Sequence, residues 1–214
     1  MSAPRPSNTL PAIGVLVSGR GSNLQAILRA IASGALRGRV ALVISSRQDA
    51  LALTIARDAG IPTRVIVPRD YADRAEAGAA IIAALREADA RVVALAGYKP
   101  ILDASVIRAF PSAIINVHPS LLPAFAGGMA PRPQTEALEA GVKLTGCTVH
   151  FVTEDVDAGP IIAQAAVPVL DDDTVETLSA RILEQEHRLL PAALDLALAG
   201  RLTVEGRRVI QRPG

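Results

Sequence analysis

One cysteine in 214 residues, Cys147, excludes an intrachain disulfide framework. Three histidines, His118, His150 and His187, lie far apart, and no Cys/His spacing resembles a structural zinc site, so no metal is expected. Aromatic residues make up only 2% of the chain, too few for a base-stacking platform. Net charge is +1 with no acidic or basic block, so neither nucleic acid nor a membrane surface is an expected partner. No apolar run approaches a membrane span. The first ten residues are polar and carry prolines, without the apolar centre of a signal peptide. The single cysteine and the lack of a targeting segment predict a cytoplasmic protein. With 50% hydrophobic residues, the length suits one substantial core and a single domain over 1–214.

Strands and helices are predicted to alternate. Strands are expected at 13–17, 40–44, 64–67, 92–96 and 113–117, and helices after residue 24, over about 50–59 and over about 71–87. The strand runs are apolar on both sides, as in a parallel sheet covered by helices. The fold class is therefore α/β: a doubly wound, mostly parallel, Rossmann-like sheet with helices on both faces. Residues 119–133 are rich in Pro and Gly and read as a long loop of the functional kind. Two later strands, 144–152 and 161–169, read as a hairpin or edge pair. A long helix over 174–199 is expected to be interrupted near Pro191, and 201–214 reads as a short polar tail.

Three segments carry chemistry. Ser18-Gly19-Arg20-Gly21-Ser22-Asn23-Leu24 joins the first strand to the first helix. The unpaired amides at that helix start suit a phosphate, the glycines allow close approach, and Ser22 and Asn23 add donors. A dinucleotide site would want glycine where Leu24 stands and an acid after the second strand, which instead ends Ser45-Ser46-Arg47. A single phosphate group is the better fit. Next, Asn116 and His118 lie two apart on the fifth strand, so they point to the same side at a carboxyl end, where ligand crevices form. A neutral donor beside an imidazole can hold a developing oxyanion and move a proton. Last, the acidic loop Thr153-Glu154-Asp155-Val156-Asp157 follows the first of the late strands, and one of its carboxylates beside His118 would favour the charged imidazole. The residues alone leave Asp155 and Asp157 as alternatives. Glu186 falls on or beside the apolar stripe of the long helix, where it needs a core cation or a ligand's polar groups. Cys147 reads as buried packing and His150 as a structural histidine; three apart on a strand, they face opposite ways and make no nucleophile pair.

Taken together these segments resemble the phosphoribosylglycinamide formyltransferase family of purine synthesis. The matching residues are Ser18-Gly19-x-Gly21-Ser22-Asn23-Leu24, Ala96-Gly97-Tyr98, Asn116-Val117-His118-Pro119-Ser120-Leu121-Leu122-Pro123, Val149-His150-Phe151-Val152, Asp157-x-Gly159-Pro160 and Gln185-Glu186-His187, in the family's order from about residue 13 to 200. The resemblance implies a formyltransferase using 10-formyltetrahydrofolate as co-substrate, with no metal. It implies a phosphate-binding half over about 12–110 and a folate-binding, catalytic half over about 111–200. Gly21, Ser22, Asn23 and Leu24 would hold the substrate's phosphate end and Glu186 its ribose hydroxyls. The folate would lie near Arg74, along Lys99, Pro100, Ile101 and Leu102, and against Asn116, Thr153, Glu154, Asp155, Val156 and Asp157. Asn116, His118 and Asp157 would form the catalytic trio, and the Leu122–Pro123 bond would be cis. Two departures stand out. The family commonly has a hydrophobic and then a basic residue where this chain has Lys99-Pro100, and the 124–135 loop lacks the family's histidines, with Arg132 a candidate phosphate contact. Competing readings are a formyltetrahydrofolate deformylase, which usually carries a further N-terminal domain, a methionyl-tRNA formyltransferase, which needs a C-terminal one, and a non-catalytic phosphate-binding module.

Overall fold

The computed structural model describes residues 10–213, so most of the polar N-terminal stretch read above for a signal lies outside the described residues. Apolar runs become strands where expected: β1 (Ala12–Val17), β2 (Arg39–Ser45), β3 (Thr63–Val65), β4 (Ala90–Leu95) and β5 (Ile114–His118). They alternate with helices α1 (Ser22–Ala32), α2 (Leu51–Asp58), α3 (Arg74–Glu87) and α4 (Ala104–Ala109). Helix α5 (Arg132–Glu139), strands β6 (Leu144–Phe151) and β7 (Ile161–Pro168), helix α6 (Val175–Leu198) and strands β8 (Leu202–Glu205) and β9 (Arg208–Gln211) complete the chain.

The nine strands of the described residues form one sheet in the order β3-β2-β1-β4-β5-β6-β7-β9-β8. The first five are parallel, and β6 and β7 continue the sheet antiparallel. Every residue of β1 is buried, because helices cover both faces. Its side chains alternate between two cores: Ile13, Val15 and Val17 pack with α1 and α6, whereas Leu16 packs with α3 and α4. From β1 the chain winds one way to β2 and β3 and then returns to β4 and β5. The crevice between the carboxyl ends of β1 and β4 is therefore the topological switch point, where ligands bind in such sheets.

Three expectations need correction. First, α6 runs unbroken through Pro191. An interior proline costs about 3 kcal/mol, but Leu178, Ile182, Leu190 and Leu194 are fully buried on the same helix and contribute about 6–12 kcal/mol together. Packing outweighs the break. Second, the tail is no polar appendage: Gly206, at φ 60°, turns β8 into β9, and Val204 and Val209 pack on the core. Third, of the two arrangements expected for β6 and β7, they form the antiparallel hairpin but not an edge pair, since β6 pairs with β5 and β9 continues the sheet beyond β7. The third helix also starts later than expected. A 3-10 turn at Pro68–Asp70 precedes it, and Asp73 caps it by accepting the Glu76 N–H at 2.8 Å. At six residues α4 is too short to show a helical period, and α5 carries too few apolar residues to show one.

Gly159, at the start of the return into β7, is required by contact rather than by torsion. A Cβ there would collide with the Phe151 carbonyl and lie 3.3 Å from Thr153 Cγ2. Gly159→Ala is expected to destabilise the protein by about 3 kcal/mol, the upper end of overpacking costs, read as a lower urea midpoint with unchanged slope; an unchanged midpoint would show that the turn relaxes freely.

Candidate active site

The glycine-rich loop leaves β1 at the switch point and is fastened on three sides. Ser18 Oγ lies 2.6 Å from Ser46 Oγ and accepts the Lys99 N–H at 2.8 Å, tying together the loops after β1, β2 and β4. Gly21 takes φ 80° at the N-cap, and a Cβ there would sit 2.9 Å from Ala52 Cα of α2. The first α1 bond runs from Gln25 N–H to the Gly21 carbonyl, 2.9 Å, leaving the amides of Ser22, Asn23 and Leu24 without intrahelical partners. No side chain caps this end. Leu24 is fully buried, so only its backbone can serve a ligand.

Glu186 reaches this corner from α6. Its Oε2 accepts Asn23 Nδ2–H at 2.8 Å, whereas Asn23 Oδ1 is buried without a partner. Among the described residues, no Lys or Arg pairs with Glu186. Burial pushes its carboxyl up to about 6, against the opposing effects of the Asn23 hydrogen bond and of His118.

At the tip of β5, His118 is buried and both ring nitrogens are engaged. Nδ1 lies 3.2 Å from Asp157 Oδ2, and Nε2 lies 3.0 Å from the Phe125 carbonyl oxygen. Both neighbours can only accept, so the pocket offers acceptors to both ring nitrogens, an arrangement that suits an imidazolium. Asp157 Oδ2 also accepts the Gly127 N–H at 2.9 Å. Burial acts to raise the Asp157 carboxyl, but the hydrogen bond and charge of His118 and the Gly127 amide outweigh it and hold the group well below the usual carboxylate range. Asp157 adopts φ 52°, left-handed backbone that is uncommon for a side-chain-bearing residue and concentrates at functional sites. Asp155, by contrast, is exposed, and Asp157 is the carboxylate against His118.

A cleft of about 900 Å³, its open mouth included, runs from these residues between the β4–α4 and β6–β7 loops. Lys99, Pro100, Ile101, Leu102 and Asn116 line it, as do Thr153, Glu154, Val156 and Asp157. Asp155 and Arg74 do not. Arg74 instead braces the β4–α4 segment from behind, donating from Nη2 to the Ile101 and Leu102 carbonyls at 3.3 and 3.2 Å. Arg108 pairs with Glu154 at 2.9 Å across the mouth. Arg132 is given to Glu136, 2.7 Å away on its own helix. The Leu122–Pro123 bond is cis, as is Ala130–Pro131.

The sequence reading undervalued His150. It lines the cleft beside Asn116, with Nε2 3.2 Å from Asn116 Nδ2 and 3.6 Å from Asp157 Oδ1. The available signal was its even spacing from Thr148 on a strand that pairs with β5, which becomes visible only once that pairing is known. Cys147 is buried in the opposite core, where desolvation pushes its thiol up to about 12 and makes it inert. Among the described residues, no group of three or more His, Cys, Asp or Glu could hold a metal ion, and no helix is long and apolar enough to cross a membrane.

The family described as Formyl transferase matches residues 12–194. A protein named phosphoribosylglycinamide formyltransferase from Haemophilus influenzae is 39% identical over 90% of this chain and 90% of its own length. The trifunctional purine biosynthetic protein adenosine-3 of Gallus gallus is 45% identical over 90% of this chain, which spans only 19% of that longer protein. The crystal structure of glycinamide ribonucleotide transformylase 1 from Symbiobacterium toebii superposes with a TM-score of 0.92 at 50% identity, covering 97% of this chain and 96% of that one.

The corner formed by Asn23 and Glu186 makes a sign-definite prediction. Because the folded Glu186 carboxyl titrates above its ordinary 4.5, its contribution to stability is complete below about 4.5 and is lost as pH rises through about 6. Relative to a Glu186→Gln variant, the protein should lose about 2 kcal/mol of unfolding free energy between acid and mildly alkaline pH. A difference curve that is flat, or that slopes the other way, would show that the carboxylate is fully compensated.

Proposed function

The chain belongs to the formyl transferase family, and from that premise we propose that it transfers the formyl group of 10-formyltetrahydrofolate to the amine of 5-phosphoribosylglycinamide, giving formylglycinamide ribonucleotide and tetrahydrofolate in de novo purine synthesis. The observation that carries this reading is His118, held by Asp157 at a strand tip beside Asn116, on the floor of a cleft whose walls include Leu95, Ile107 and Val152. Such a cleft suits a flat heteroaromatic co-substrate. The relatives that bear the activity in their names support the same assignment.

In this reading the amides of Ser22, Asn23 and Leu24 hold the ribonucleotide's phosphate, and Glu186 accepts from its ribose hydroxyls. The folate-binding set is Lys99, Pro100, Ile101, Leu102, Asn116 and the 153–157 loop, with Arg74 acting through the backbone it braces. Attack of the amine on the formyl carbon puts negative charge on the formyl oxygen. Asn116 and His118 donate hydrogen bonds to that oxygen, and Asp157 keeps the imidazolium paired. The formyl carbon gains a bond to the glycinamide nitrogen and loses its bond to the folate nitrogen. The proton released by the amine ends on that folate nitrogen, with His118 and Asp157 as the relay. For His118 Nε2 to face the formyl oxygen, the Phe125 carbonyl now bound to it must move aside.

The same reading takes residues 1–214 as one domain, with its phosphate-binding part over about 12–110 and its folate-binding and catalytic part over about 111–200. It requires no metal ion, nucleic acid or membrane, and it places a monomer or homodimer in the cytoplasm. The near-neutral charge of +1 supports small-molecule substrates.

Folate absorbance measured on purified protein with 10-formyltetrahydrofolate tests the proposal. Release of tetrahydrofolate should require the ribonucleotide, and His118→Ala and Asn116→Ala should each lower kcat by about 10²–10³ while ribonucleotide binding persists. Release without the ribonucleotide would make the protein a deformylase. Retained binding with no release would leave a phosphate-binding module.

A further inference from the structure

We propose that His150 is a positioning residue that aims the Asn116 amide at the reacting oxygen, and that it does so as the neutral tautomer with its proton on Nδ1. The proposal rests on the reading of Asn116 as an oxyanion donor and assigns a role to a histidine outside the catalytic trio.

Two contacts determine the tautomer. His150 Nδ1 lies 2.9 Å from the Phe151 carbonyl oxygen, which can only accept, so Nδ1 carries the proton. Asn116 Nδ2 lies 3.2 Å from His150 Nε2 and can only donate, so Nε2 offers its lone pair. Asp157 Oδ1 is the other group facing Nε2, but at 3.6 Å it is beyond hydrogen-bond range. The nearer amide therefore decides. This differs from His118 next to it, where both partners are acceptors.

The arrangement follows from strand register. Asn116 and His150 are directly opposed on the antiparallel β5–β6 pair, which brings their Cβ atoms to within about 5 Å. The β6–β7 register shifts between Val149 and His150, a bulge of the kind that re-aims a side chain beside an active site. His150 is 2% exposed, so bulk solvent hardly reaches its ring. With one amide hydrogen committed to that lone pair, the carboxamide plane is fixed and the second hydrogen is directed into the cleft that Asn116 lines. Without His150, the amide is free to rotate and present its carbonyl to the negative oxygen.

A double-mutant cycle tests this. His150→Phe alone should lower kcat by about 10- to 100-fold, the cost of a misoriented group, with the KM for ribonucleotide nearly unchanged. In an Asn116→Ala background the same substitution should cost less than about threefold, because the group it orients is gone. His150→Gln, whose carboxamide oxygen can take the place of Nε2, should recover most of the loss. Losses that multiply in the double variant would overturn the proposal. Nitrogen-15 NMR of the unsubstituted protein near neutral pH is an independent check that needs neither variants nor activity. A protonated Nδ1 and a bare Nε2 on His150 are expected, and a proton on Nε2 would overturn the assignment. If formyl transfer is absent in the unsubstituted protein, the functional reading fails, while the NMR result still decides the tautomer.

Discussion

A carboxylate with only 10% of its side chain exposed has to be surrounded by donors or lose its charge, and Asp157 is such a group. Its Oδ2 takes both the His118 Nδ1 contact and the Gly127 amide. Satisfying it draws together the tip of β5, the loop after Pro123 and the β6–β7 turn. Each of these carries a piece of the site. The left-handed backbone at Asp157 and the close approach of Gly159 to the Phe151 carbonyl are local costs of placing the carboxylate there. The Phe151 carbonyl is also the acceptor for His150 Nδ1, so the turn that delivers Asp157 sets the proton on its neighbour as well.

The rest of the site depends on sheet order. Because strand order reverses at β1, the loops after β1 and β4 diverge and leave a crevice at their carboxyl ends. The phosphate-type corner opens on one side of it, with unpaired helix amides and Glu186. The apolar cleft opens on the other, and Asn116 and His118 stand between. Ser18 locks the two sides together through Ser46 and Lys99. A two-substrate transfer needs this geometry, since both reactants must meet at one pair of side chains in a fixed orientation.

Two buried histidines within this small volume differ in their hydrogen-bond partners. His118 faces a carboxylate and a carbonyl, both acceptors, whereas His150 faces a carbonyl and an amide donor. One ring is suited to stabilising negative charge and the other to holding an orientation. The difference comes from hydrogen-bond partners alone, since both rings are equally buried.

The sequence by itself determined what is local. Apolar runs and their punctuation gave the alternation of strands and helices and the two-sided burial of the sheet. The Gly19–Gly21 spacing gave the helix start with open amides, and the two-residue interval gave Asn116 and His118 on one side of a strand tip. Tertiary structure decided everything that depends on partners distant along the chain. Asp155 and Asp157 are equivalent by composition, and only the path of the β6–β7 turn puts Asp157 against His118. His150 reads as a structural histidine until the β5–β6 register sets it opposite Asn116. Arg74 reads as a ligand residue until its guanidinium is found bracing two carbonyls. Pro191 reads as a break, and residues 202–211 as a tail, until the buried area gained by packing α6 and the β8–β9 hairpin against the core is taken into account. The physical reason is the same throughout: periodicity and turn chemistry act between neighbours in sequence, whereas charge burial, strand register and core packing are settled between residues that only folding brings together.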